Sequence, residues 1–265
     1  MKTNPIKKQL KAGQPTFGTW LSLGDLYASR VMARLGWDWL TLDMEHQPID
    51  WSQAAAIFGA IADAGGVPLA RVPEGNHFFI KRALDAGAWG IVAPMINTVE
   101  QAREIVAAAK YPPVGNRSLG GGLHALNFGC STAEYYQRAN EEILVVLQTE
   151  SPAGIANAEE IYRLPGVDAI FVGPVDLRAN MRKSDGTECS DGEFEAAIDR
   201  IVSISKKTGR ATGMHVMNPE AALKRAAQGM QFLAVASDLR MMTAKAEEFL
   251  KTLKMDAGKT SIAGY

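Results

Sequence analysis

Eight times along the chain a short aliphatic run is followed by a stretch with helical periodicity, and no other feature limits the possible folds so strongly. The runs cover residues 16–21, 39–43, 67–71, 90–94, 143–150, 168–173, 210–214 and 231–236. Their near-continuous apolarity suits strands buried on both faces, as in a parallel sheet covered by helices. The stretch from Trp51 sets Ala55, Ile57, Phe58 and Ile61 along one side and stops at Gly65 and Gly66, as a helix end should. NHFFIKRALDAG, TVEQAREIVAAAK, PEAALKRAAQG and AKAEEFLKTLK behave in the same way. This alternation predicts an α/β fold closed into a (β/α)8 TIM barrel. A doubly wound sheet is the competitor, but no G-x-G-x-x-G turn follows the first run. A chain of 265 residues is the length of one such barrel, so a single domain over 1–265 is expected. The largest departure is a Gly- and Arg-rich loop followed by a helix, inserted at about 111–142 between the fourth and fifth strands. Long loops in compact domains are usually functional.

With 47% hydrophobic and 22% charged residues, disordered, collagen-like and coiled-coil chains are excluded. Lys plus Arg is 28 against 29 for Asp plus Glu, without basic blocks, which argues against nucleic acid as the partner. No apolar run approaches the roughly 20 residues of a membrane span. The opening MKTNPIKKQLKAGQ lacks the apolar core of a signal peptide. Cys130 and Cys189 make no disulfide framework, so a reduced, cytoplasmic setting is expected.

Chemistry in such a barrel occupies the C-terminal strand ends. The first run carries Trp20, and the second leads into LDMEHQPID with Asp43, Glu45 and His46. The third ends in Arg71, the fifth reaches Gln148 and Glu150, the sixth runs through GPVDL to Asp176, and His215 follows the seventh. Glu150 and Asp176 on separate strands suit a hard divalent cation such as Mg²⁺ or Mn²⁺; each alone could equally be a solvated loop carboxylate or a helix cap. His46 can serve as a general base near neutral pH, oriented by Asp43, or simply be a loop histidine bonded to backbone. Arg71 is either an oxyanion clamp or an ion-pair partner of Glu45, and a buried guanidinium can do both. Asp43 and Glu45 have a competing role as salt-bridge partners. There is no zinc spacing, no HExxH and no GxSxG. No lysine lies at an expected strand end, which disfavours a Schiff base, Lys183 being the nearest exception. Met214, Met217, Met241 and Met242 read as core packing.

LDMEHQPID, YPPVGNRSLGGG, LVVLQTES and FVGPVDL, in this order and spacing, resemble the HpcH/HpaI family of class II, metal-dependent pyruvate aldolases, of the 4-hydroxy-2-oxo-heptanedioate aldolase kind. The resemblance runs from about Thr16 to the last helix. It implies a (β/α)8 barrel of the phosphoenolpyruvate/pyruvate-domain type, often with the last helix exchanged between partners, in a hexameric or trimeric homo-oligomer. It implies that Glu150 and Asp176 ligate a divalent metal ion (Mg²⁺, Mn²⁺ or Co²⁺), with waters completing the shell. Arg71 matches the arginine that holds the C2 oxygen of pyruvate and its enolate. His46 matches the base, acting through a metal-held water, with Asp43 its dyad partner and Glu45 behind them. Gln148 matches a residue near the pyruvate, and Gly173, Pro174, Val175 and Asp176 match the backbone segment that receives its carboxylate. Asp85 matches an acid that reaches a neighbouring subunit's site.

Departures from the family pattern concern the second substrate: Val175 where many relatives carry Ala, Arg178 where Ser is frequent, the RSLGGG beginning at Arg117, and His215 at an often aliphatic position near the aldehyde side. Trp20 and His215 complete the substrate-binding set. The implied reaction is cleavage or formation of the C3–C4 bond of 4-hydroxy-2-oxo acids, giving pyruvate or a close analogue and an aldehyde, in catabolism of aromatic or sugar acids. Two rivals share the scaffold: a CoA-dependent carbon–carbon ligase of the citrate-forming type, and a non-catalytic metabolite-binding barrel.

Overall fold

In the computed structural model, which describes residues 1–255, eight strands close into a barrel in sequence order. They are β1 (Thr16–Leu21), β2 (Trp39–Asp43), β3 (Pro68–Arg71), β4 (Gly90–Ala93), β5 (Leu144–Gln148), β6 (Ala169–Val172), β7 (Ala211–Val216) and β8 (Phe232–Ser237). Every neighbouring pair is parallel, including the β1–β8 pair that closes the ring. The expected (β/α)8 barrel is therefore what forms. Nearly every strand residue is buried, because one face of each strand lines the interior while helices cover the other.

An aromatic column fills part of the ring. Trp39 stacks on Phe232 at 4.1 Å, Phe171 meets Phe232 edge-on at 5.9 Å, and Trp20 meets Phe171 edge-on at 5.7 Å. The close approach requires glycine at 18, since a Cβ there would stand 2.1 Å from the Trp39 ring. Polar side chains start the helices that follow the strands. Asp50 and Asn76 accept main-chain N–H groups at the helices Trp51–Asp63 and His77–Asp85. Thr98 with Gln101 and Ser190 with Glu193 form reciprocal capping boxes at Val99–Ala109 and Asp191–Thr208. Such caps satisfy otherwise orphaned donors and end each mouth loop abruptly.

Three expectations change. The segment 111–142 holds two helices, Leu123–Asn127 and Thr132–Glu142, rather than one. β7 continues to Val216, so His215 lies inside the strand instead of after it, because strand pairing with β8 persists through His215↔Ala234 and Val216↔Val235. Of the methionines read as core, Met214 is buried but Met217 and Met242 are exposed. The N-terminal segment forms the helix Pro5–Lys11, with Ile6 buried and Lys7 Nζ reaching the Ile143 carbonyl at 2.9 Å and Asp168 at 3.0 Å. The last helix, Asp238–Thr252, buries only Asp238 and leaves Met242 and Phe249 exposed. Among the described residues, no helix is long and apolar enough to cross a membrane.

Candidate active site

The C-terminal ends of β2 and β3 set the centre of the mouth. Asp43 and Arg71 are the last residues of their strands and are paired in register, so their side chains leave the sheet side by side. Arg71 donates from Nε to Asp43 Oδ1 at 2.9 Å and from Nη2 to Oδ2 at 2.7 Å. Its Nη1 lies 3.2 Å from Glu45 Oε2. The guanidinium carbon stands 4.6 Å from the Trp20 ring centre, a cation–π contact that fixes the plane of the fork. Burial alone would push the Arg71 pKa down, but the hydrogen-bonded Asp43, then Glu45 and Glu150, hold it above its ordinary value. Arg71 is thus a charged group pinned at its position, and the ion pair with Glu45 that the sequence suggests is present beside a stronger one with Asp43.

Glu150 enters from just past β5. Its Oε2 accepts from Gln148 Nε2 at 2.8 Å, and its Oε1 accepts the Met95 N–H at 2.7 Å. Met95 takes φ 57°, unusual for a residue with a Cβ. The main chain at 173 closes so tightly on this carboxylate that a Cβ on Gly173 would be 2.0 Å from Glu150 Oε2. Asn180 Nδ2 holds the Glu150 carbonyl at 2.9 Å. Burial raises the Glu150 pKa to about 7; the Met95 N–H opposes this, while Asp176 and Glu45 add to it. Asp176 stands in the first turn of the helix Pro174–Asn180.

Burial likewise raises Glu45, against the charges of Arg71 and His46 and with those of Asp43 and Asp176. The mouth therefore gathers Asp43, Glu45, Glu150 and Asp176 around Arg71 as its fixed cation, a surplus of negative charge in a buried place. Hard oxygen donors with such a surplus fit a divalent cation, which Glu150 and Asp176 would hold. Among the described residues, no group of three or more His, Cys, Asp or Glu could hold a metal, so the protein's share of a shell there is partial.

The cleft is lined by Trp20, Asp43, Arg71, Gln148, Asp176 and His215, with Gly173, Pro174 and Val175 along one edge. Glu150 lies immediately behind Gly173, and Glu45 and His46 stand beside the cleft. Asp43 receives the His46 main-chain N–H at 3.3 Å, while the ring Nε2 is 3.6 Å from Glu45 Oε2. Asp85 is not brought to this mouth within one chain; it pairs with Arg117 at 2.7 Å on the far end of the helix His77–Asp85. Arg178 turns to Asp191 at 2.7 Å, over Phe194, and Lys183 is exposed with Glu193 at 4.0 Å.

Sequence reasoning missed Ser22 and Phe171, which also line the cleft, and the supports Met95 and Asn180. Phe171 was visible as an aromatic inside an apolar run. The Met95 contribution is a main-chain N–H, which no residue type signals.

The family model described as HpcH/HpaI aldolase/citrate lyase matches residues 16–244. The chain is 36% identical over 242 residues to a hydroxypyruvate/pyruvate aldolase of Delftia acidovorans, covering 91% of this chain and 89% of that protein. It is 34% identical to a 2-keto-3-deoxy-L-rhamnonate aldolase of Klebsiella pneumoniae, covering 97% and 96%. A crystal structure of a family protein from Burkholderia cenocepacia superposes with a TM-score of 0.88 at 34% identity, covering 95% of this chain and all of that one.

Proposed function

This chain belongs to the HpcH/HpaI aldolase/citrate lyase family and is a carbon–carbon lyase of the aldehyde-lyase type, and on that premise we propose that it cleaves or forms the C3–C4 bond of a 4-hydroxy-2-oxo acid. The products are pyruvate, or a close 2-oxo acid, and an aldehyde. The carrying observation is Arg71, buried, charged and locked between Asp43 and Trp20 at the floor of a cleft.

Arg71 faces the substrate's C2 oxygen. When the C3–C4 bond breaks, its electron pair moves into C2–C3 and negative charge collects on that oxygen, where a preorganised guanidinium stabilises it without rearranging. His46, beside Glu45, takes the proton of the C4 hydroxyl as the carbonyl of the leaving aldehyde forms. C3 then takes a proton from solvent, which yields the 2-oxo acid, and His46 releases its own proton to solvent. Asp43 keeps Arg71 aimed, Gln148 keeps Glu150 turned toward Asp176, and the main chain of Gly173, Pro174, Val175 and Asp176 receives the substrate carboxylate. Glu150 and Asp176 would hold a divalent cation, which supplies Lewis-acid charge next to the oxo-acid oxygens. The names borne by the relatives, acting on hydroxypyruvate, pyruvate or deoxy sugar acids, support a pyruvate-like donor. Asp85 serving a neighbouring subunit, and a homo-oligomer using the uncovered last helix, belong to the same proposal. So does a reducing, cytoplasmic setting for the unpaired Cys130 and Cys189.

The test is pyruvate release from a panel of 4-hydroxy-2-oxo acids after chelation and after adding back single metals. Release should vanish with chelator and return with Mg²⁺, Mn²⁺ or Co²⁺. Release that survives complete metal removal would sink the metal requirement, and a CoA requirement without pyruvate release would replace the aldolase with the ligase.

A further inference from the structure

We propose that His215 selects the oxo-acid donor, its Nδ1 accepting a hydrogen bond from a hydroxyl on C3, so that 3-hydroxy-2-oxo acids such as hydroxypyruvate are favoured over pyruvate. The inference rests on the aldolase reading above. His215 Nε2 stands 3.0 Å from the Ala236 carbonyl oxygen. A carbonyl only accepts, so Nε2 carries the proton. Burial and the charge of Arg71 outweigh that hydrogen bond and push the His215 pKa below its ordinary value, so the ring is neutral. Nδ1 is then a bare acceptor. Among the described residues it has no hydrogen-bond partner, and His215 lines the cleft. Ala236, whose carbonyl fixes the tautomer, takes φ 50°, a conformation uncommon for a residue with a Cβ and frequently found at functional sites.

Burial decides which substrate meets this acceptor. His215 is 8% exposed and Arg71 7%, whereas Val175 at the rim is 57% exposed. The donor, with its C2 oxygen at Arg71, occupies that floor, and the aldehyde arrives over it from the rim. An acceptor as buried as Arg71 therefore reaches a substituent on C3 of the donor, rather than the aldehyde side to which the family resemblance assigns this position. Its flanks are aromatic, with the Trp20 ring 6.4 Å away and Phe171 edge-on to Trp20, so a hydroxyl entering there has Nδ1 as its natural partner.

Aldol addition to glycolaldehyde is measured with hydroxypyruvate and with pyruvate, in excess Mg²⁺, Mn²⁺ or Co²⁺, for the wild type, His215→Leu and His215→Asn. His215→Leu should lower the hydroxypyruvate-to-pyruvate ratio of kcat/KM about tenfold, the effect of one lost hydrogen bond. The change should sit mainly in KM, since the contact exists before and during bond formation. His215→Asn, whose amide oxygen can occupy the Nδ1 position, should keep most of the preference. If His215→Leu does not fold, His215→Phe supplies the same comparison. A ratio unmoved by loss of the acceptor, or a parallel loss for both donors, overturns the inference and leaves His215 a packing residue. A wild type that uses neither donor with any of these metals overturns the aldolase reading itself, and the inference with it.

Discussion

Arg71 and Arg117 have nearly the same local geometry and opposite surroundings. Each is buried, each donates to an aspartate at 2.7 Å, and each holds its guanidinium carbon 4.6 Å from an aromatic ring centre, Trp20 for Arg71 and Tyr111 for Arg117. Arg117 has one carboxylate, Asp85, and a further hydrogen bond to the Tyr135 hydroxyl at 3.0 Å. Charge there is balanced, and the pair joins the helix His77–Asp85 to the segment 111–142. Arg71 meets Asp43 and Glu45 together, feels Glu150 behind them, and opens onto a cleft. A buried ion pair is therefore not by itself a sign of chemistry at the mouth of its own chain. What marks the mouth is unbalanced charge beside accessible space, an arrangement that costs stability unless something else binds.

The strongest way to break this contrast is Arg71→Met. Losing the charge that faces the reacting oxygen should lower kcat for pyruvate release by roughly a hundred- to a thousandfold. A loss below tenfold in steady-state kinetics would put Arg71 in the same class as Arg117. The counterpart, Arg117→Met, strands Asp85 and should cost about 3 kcal/mol in urea unfolding, the low end for a broken buried pair because Asp85 is partly exposed. An unfolding midpoint that did not move, with turnover lost, would show Arg117 serving the reaction and erase the distinction.

Charge imbalance can also be read from pH. Glu150 has its pKa raised from 4.5 to about 7, so the folded chain binds more protons than the unfolded one between those values. In chelator, stability should be highest below about pH 4.5 with respect to this group and fall as pH rises through 7. The fall should amount to about 3 kcal/mol, because each tenfold difference in proton affinity between the folded and unfolded chain is worth about 1.4 kcal/mol. Added Mg²⁺ should oppose the fall, since ligation needs the carboxylate, and its stabilisation should grow through the same window. Glu150→Gln should flatten both curves; unfolding midpoints that kept their pH slope in this variant would assign the imbalance to another group. The smallest effect is expected at the ring behind the fork. Trp20→Leu removes a cation–π contact of about 1 kcal/mol and should lower kcat/KM severalfold. No change in kcat/KM would mean that Asp43 alone aims Arg71.

Much of the mouth was legible because strand ends are easy to find in an alternating chain. Asp43, Arg71 and Gln148 close their apolar runs, and Glu150 and Asp176 follow within a few residues. Less legible was anything that depends on how far a strand runs or what a main chain offers. His215 reads as following β7 because Thr212 and Gly213 weaken the apolar pattern, yet pairing with β8 carries the strand past it. The Met95 N–H on Glu150 and the bare Gly173 against that carboxylate are backbone features, and Asn180 looks like any polar helix residue. Asp85 and Arg117 lie 32 residues apart, a separation at which no local pattern couples two charges.

By itself the sequence determined the barrel, since hydrophobic periodicity and caps are local and eight repetitions leave little choice of closure. It also determined that Asp43, Arg71, Gln148, Glu150 and Asp176 arrive at or beside the mouth, because topology carries strand ends there. Only the tertiary structure decided the partners: that Arg71 forks onto Asp43 while His46 leans to Glu45, that Glu150 sits in a cradle of main chain, and that His215 sets its Nε2 against the Ala236 carbonyl at the edge of the cleft. These follow from register, burial and the direction of individual lone pairs, which are set by contacts between residues far apart in the chain.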